Sequence, residues 1–112
     1  MTIFDRIIAR VIPPQIVHET DELIAFLDVR PQAPVHVLIV PKRCIVRLGE
    51  ATGNDAELLG QLLAATPEVA KKVGVAETGF RIVINSGRDA GESVPHLHVH
   101  LLGGRGLGWP PG

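Results

Sequence analysis

His96-Leu97-His98-Val99-His100-Leu101-Leu102 is the stretch on which the reading of this chain turns. Its histidines alternate strictly with aliphatic residues, the period of a β-strand that lays one face on a core and leaves the other for chemistry. A strand advances about 3.3 Å per residue, so successive imidazoles stand roughly 6.6 Å apart along the backbone, within reach of one another's side chains. Three of the five histidines of the chain are gathered here. Such a row can hold a metal ion with a coordination position left open, or it can attack a phosphorus atom through a neutral ring nitrogen. Neighbouring imidazoles disfavour one another's protonation, which keeps such a nitrogen available near neutral pH. Glu92 is the sole carboxylate close to the row in sequence, so a zinc reading has little outer-shell support.

Upstream of the row, Ser86 to Val94 is a loop with glycines at 87 and 91, and its backbone N–H groups and the Ser93 hydroxyl are suited to holding negative charge. A strand is expected before it at Arg81 to Asn85. Toward the N-terminus, Val35 to Val40 reads as a strand rich in β-branched residues, and Ile16 to Glu19 with Leu23 to Asp28 reads as a hairpin turning at Thr20-Asp21. Arg30 to Pro34 carries two prolines and is a loop. Thr2 and Asp5 look like the cap and acidic first turn of a short helix that ends before Pro13-Pro14. Asp55 to Val73 has leucines and valines near helical spacing, stops at Gly74, and is expected to kink or split at Pro67. The tail from Gly103 to Gly112 is too broken by glycine and proline for regular structure. Its Trp109 calls for a docking place, on its own body or on a neighbour. The order of elements is that of a single α+β domain over 1–112, a five-stranded, mostly antiparallel sheet with two helices.

Composition narrows the function classes. With 112 residues, 46% of them hydrophobic and 21% charged, the chain has a modest core and a high surface-to-volume ratio that a partner subunit would relieve. A net charge of -1 gives no broad electrostatic case for nucleic acid or an anionic membrane. The lone Cys44 excludes an internal disulfide and a cysteine zinc site, and fits a reducing compartment. No apolar run approaches the roughly 18 residues of a membrane span, and Asp5 and Arg6 interrupt any signal-peptide core, so the expected location is the cytoplasm.

The His-Leu-His-Val-His-Leu-Leu run resembles the signature of the histidine triad (HIT) superfamily. The likeness extends to Phe26-Leu27-Asp28, Pro31 through His36, Val40-Pro41-Lys42, Asn85, Gly91-Glu92-Ser93-Val94 and the closing Trp109-Pro110-Pro111-Gly112, and so to the Hint branch, the histidine triad nucleotide-binding proteins. That resemblance implies a dimerising HIT fold and a purine nucleoside phosphoramidase that hydrolyses adenosine phosphoramidates and aminoacyl adenylates to AMP without metal or other cofactor. In that pattern His98 is the nucleophile, the His96 carbonyl orients it, His100 contacts the α-phosphate and His36 completes the cluster. Asp28 accepts hydrogen bonds from the ribose. Phe4, Ile7, Phe26 and Val29 form the slot for the base. Asn85, Ser93 and the backbone of Gly91, Glu92, Ser93 and Val94 hold phosphate and leaving group. A homodimer is implied, with the Trp109 tail of one subunit near the active site of the other. Alternatives are a nucleotide-binding scaffold with incidental catalysis, a dinucleoside polyphosphate hydrolase and a zinc hydrolase. Cys44, Pro95 and Gly108 depart from the family pattern, which bears on the leaving group rather than on the nucleophile.

Overall fold

The computed structural model describes residues 2–112. Five strands, β1 (Ile16–Glu19), β2 (Leu23–Leu27), β3 (Val35–Pro41), β4 (Phe80–Val83) and β5 (Val99–Gly103), form one antiparallel sheet in the order β1-β2-β3-β5-β4. Alternation along the strands gives the sheet two different faces. Val37, Ile39, Val99 and Leu101 point to one face and build the larger core with Leu58, Leu62, Val69 and Ala70 of the helices. His36, Leu38 and Val40 belong to the other, with Ile24, Phe26 and the N-terminal helix.

That helix, α1 (Ile3–Ile8), is short and owes its start to a capping box: the Thr2 hydroxyl accepts from Asp5 N–H, and the Asp5 carboxylate accepts from Thr2 N–H at 2.8 Å. It buries Phe4 and Ile7 on the sheet. The helix expected over 55–73 is divided into α2 (Ala56–Ala64) and α3 (Thr66–Lys72). Pro67 is the cause, because it has no N–H for the Leu63 carbonyl one turn back; the Thr66 hydroxyl donates to that carbonyl instead, at 2.8 Å. Leu62 and Val69, on either side of the break, are both fully buried, each contributing about 1.5–3 kcal/mol.

Two boundaries differ from the sequence reading in a way that matters for function. β5 starts at Val99 rather than His96, because its ladder with β3 ends at the Ile39–Val99 pair. Leu97 N–H turns instead to the Ile45 carbonyl at 2.6 Å, beyond the end of β3. The alternation of faces nevertheless persists through 96–98, with Leu97 in the larger core and His96 and His98 packed on Phe4. β4 runs from Phe80 to Val83 rather than 81 to 85, since Val83 pairs with His100 near the start of the shortened β5. Gly103, opposite Phe80, lies so close to Val75 that a Cβ would stand 3.0 Å from its Cγ1. Beyond Gly103 the tail has no helix or strand; it is tethered by Arg81, which donates to the Gly108 carbonyl at 2.8 Å, and by Arg105, which donates to that of Gln32 at 3.1 Å. Trp109 is not docked on its own chain, being 83% exposed. Among the described residues no helix is long and apolar enough to cross a membrane.

Candidate active site

The face of the sheet that carries the histidines opens into a cleft of about 700 Å³. Nine of the residues singled out in the sequence line it: Phe4, Ile7, Phe26, Asp28, Val29, Ser93, Val94, His98 and His100. Two chemical ends are evident. Helix α1 with Ile12, Pro13 and Pro14 supplies an apolar end, and Asp28, Ser93, His98 and His100 supply a polar one. Ile3, Ile12, Pro13, Pro14, Gln15, Leu27 and Leu38 also line it and escaped the sequence reading. Leu38 was legible, since it stands two residues after His36 on the same strand face; Gln15 and the prolines were not, because they lie in an irregular connection without periodicity.

His98 has its tautomer fixed by a carbonyl. Nδ1 lies 2.8 Å from the His96 oxygen, which only accepts, so Nδ1 carries the hydrogen and Nε2 keeps its lone pair. Burial holds the ring below the ordinary histidine pKa, against the pull of that backbone bond and of Asp28 and Glu92, so it is neutral at neutral pH. The Phe4 ring meets it edge-on at 4.9 Å between centroids and limits its rotation.

A second chain of hydrogen bonds orients His100. Gln32 N–H donates to His36 Nδ1 at 3.1 Å, so the hydrogen of His36 is on Nε2 and is donated to His100 Nδ1 at 2.9 Å. The hydrogen of His100 therefore sits on Nε2, as a donor for an anion in the cleft. Burial, then the nearby His98 and His36, push the His100 pKa down to about 4, and burial lowers that of His36 as well. The polar end thus holds a bare nitrogen on His98 and an N–H on His100, in rings 4.9 Å apart.

The remaining residues are behind or beside this pair. His96 is fully buried, with Nε2 donating to the Pro41 carbonyl at 2.8 Å and Nδ1 left without a hydrogen-bond partner, 3.8 Å from the Asp5 carboxylate. Asp28 directs Oδ2 to within 3.4 Å of His36 Nε2, while Oδ1 accepts from Arg30 N–H at 2.8 Å and so caps the following loop. Val29 is 93% exposed at the mouth. Asn85 and Gly91 do not line the cleft, and neither does Glu92, whose carboxylate faces Arg47 instead. As for metal, the three triad rings do not converge on a point. Asp28, His36 and His100 do, with one ligand atom of each within 4.8 Å of the others. Both nitrogens of His36 and one of His100 are, however, engaged in the hydrogen bonds above, so a cation there would have to break them.

The family model of the HIT domain matches residues 9–107. The chain belongs to the HIT family. Within it the likeness extends to the Hint branch: the Arabidopsis thaliana protein named adenylylsulfatase HINT1 is 50% identical over 113 residues, covering 99% of this chain and 76% of that one. A HIT family hydrolase from Legionella pneumophila superposes over the full length of both chains with a TM-score of 0.96 and 41% identity. The histidine triad nucleotide-binding protein of Candida albicans superposes on 98% of this HIT chain and over 83% of its own, with a TM-score of 0.83 and 32% identity.

Proposed function

We propose that this HIT protein is a hydrolase of nucleoside 5'-phosphoramidates and aminoacyl adenylates that works through a nucleotide bound covalently to His98. The single observation that carries this reading is the opposed tautomers of His98 and His100: one presents a lone pair, and the other an N–H, to the same end of the cleft. A base enters the apolar end between Phe4, Ile7 and Phe26, and Asp28 holds the ribose. His98 Nε2 then attacks the α-phosphorus; in a phosphoramidate the phosphorus–nitrogen bond breaks and the amine leaves with a proton delivered from water past the Ser93 hydroxyl, and in an aminoacyl adenylate the phosphorus–oxygen bond breaks and the amino acid leaves as its carboxylate. His100 Nε2–H stabilises the negative charge growing on the phosphoryl oxygens. In the second step water attacks phosphorus, the bond to His98 breaks, and AMP and a proton are released. No step routes through a metal.

A second leaving group is favoured by a specific observation, the name of the Arabidopsis relative, which points to adenylylsulfate. The intermediate is the same, and sulfate departs without needing a proton. Incubation with adenosine phosphoramidate and with adenylylsulfate, each followed by AMP release, separates the two; His98→Ala should abolish both. Nucleotide binding with no turnover of either would favour a scaffold instead. We further propose a homodimer formed across the outer edge of β4, where Phe80 and the tethered Trp109 expose apolar surface, so that the tail of one copy reaches the cleft of the other. Sedimentation of the parent and of Trp109→Ala checks this.

A further inference from the structure

Arg47 does not line the cleft, yet the segment it belongs to braces the approach to His98 at two points. The Ile45 carbonyl accepts from Leu97 N–H at 2.6 Å. Two residues on, the Arg47 guanidinium grips both oxygens of Glu92, Nε to Oε1 at 2.8 Å and Nη2 to Oε2 at 3.1 Å, and its Nη1 is bonded to Glu50. Between the two points lie Ser93 and Val94, which line the cleft, and His96, whose carbonyl holds the nucleophile.

Glu92 is at the same time the neck of the preceding loop. Its Oε1 accepts from Gly87 N–H at 2.9 Å, and its own N–H donates to the Gly87 carbonyl at 3.2 Å. Gly87 and Gly91, with φ of +91° and +80°, let the chain close on itself there. The Glu92 side chain is 12% exposed and that of Arg47 33% exposed. A carboxylate at this place, if unpaired, would favour protonation of His98 and repel a phosphate. The two-pronged pair offsets part of both effects and fixes the loop neck where Ser93 begins. Facing Glu92 are Arg47, the Gly87 amide and, more distantly, His98; facing Arg47 are Glu50 and Glu92.

We infer that Arg47 is a positioning residue for the reaction: through Glu92 it sets the Ser93–Val94 segment against the leaving-group side of the cleft and weakens the pull of that carboxylate on the nucleophile. This rests on the reading of His98 given above. Because the base slot and Asp28 are untouched, Arg47→Met should leave the affinity for adenosine, which has no phosphate, within about twofold and lower kcat for adenosine phosphoramidate by about 10- to 100-fold, the scale of a misplacement near 1 Å. Arg47→Lys, which keeps the charge but not the fork, should recover part of the rate.

The electrostatic half has its own readout. In Arg47→Met the His98 ring titration, followed by nitrogen NMR of the resting protein, should move to higher pH; in Arg47→Met/Glu92→Gln it should return to the parent value or below while kcat stays low. A kcat and a His98 titration both unchanged in Arg47→Met would overturn the inference, as would a loss of adenosine binding in proportion to kcat. Should the parent lack turnover, or His98→Ala retain it, the covalent reading fails instead. The NMR titration then still decides whether Arg47 guards the ring.

Discussion

Acidification from about pH 7 to pH 5 should weaken this fold, and His100 should carry a measurable share of the loss. An imidazole in the unfolded chain takes up its proton near pH 6.5, whereas burial and the two neighbouring rings hold that of His100 down to about 4. Above about pH 6.5 the ring is neutral in both states and nothing is lost. Between 6.5 and about 4 the unfolded chain binds a proton that the folded one refuses, so stability falls with falling pH; below about 4 the penalty is constant. Each tenfold difference in proton affinity is worth about 1.4 kcal/mol, so at pH 5 the ring would cost about 2 kcal/mol in a closed site. The cleft is open to solvent, and screening at its mouth reduces that to about 1 kcal/mol. Urea denaturation at the two pH values measures it. His100→Gln retains an acceptor for His36 Nε2–H but no titrating charge, so its loss between pH 7 and 5 should be smaller than that of the parent by about 1 kcal/mol, or about 4 °C in Tm for a domain of this size. The two proteins are compared by their change with pH, not by absolute stability. Equal losses would refute the reasoning that the folded structure keeps His100 neutral.

Phe4→Ala should destabilise the fold by about 3 kcal/mol, since the ring is 5% exposed and packs on Phe26, His96 and His98. The same variant should weaken AMP binding, measured by calorimetry, because one wall of the base slot is lost. Dialysis against EDTA should leave turnover of adenosine phosphoramidate unchanged. Added zinc should inhibit it competitively with AMP, by capturing Asp28, His36 and His100 and breaking the hydrogen bonds that set their tautomers; activation by zinc would contradict the metal-free mechanism.

Much of the site was legible because alternation is a property of the backbone. Leu97, Val99 and Leu101 had to share one face and the three histidines the other, and that arrangement survives even where the ladder of β5 does not. The split at Pro67 was legible for a similar reason, a missing donor. What could not be read was anything decided by the return of a distant loop. The start of β5 depends on where β3 ends and on the Ile45 carbonyl that then takes Leu97 N–H. The tautomer of His36 depends on a backbone N–H four residues earlier, at Gln32, and the pairing of Glu92 with Arg47 joins segments 45 residues apart. Such contacts have no period and leave no mark on local composition.

The chemistry turns on a bond between His98 Nε2 and phosphorus. Brief exposure of the enzyme to excess adenosine phosphoramidate, quenching in alkaline denaturant and peptide mapping by mass spectrometry tests for it directly. An AMP adduct on the peptide containing His98, formed within the time of one turnover and absent from His98→Ala, is the expected result. Steady turnover by the parent with no adduct at any time, or with undiminished turnover by His98→Ala, would contradict it.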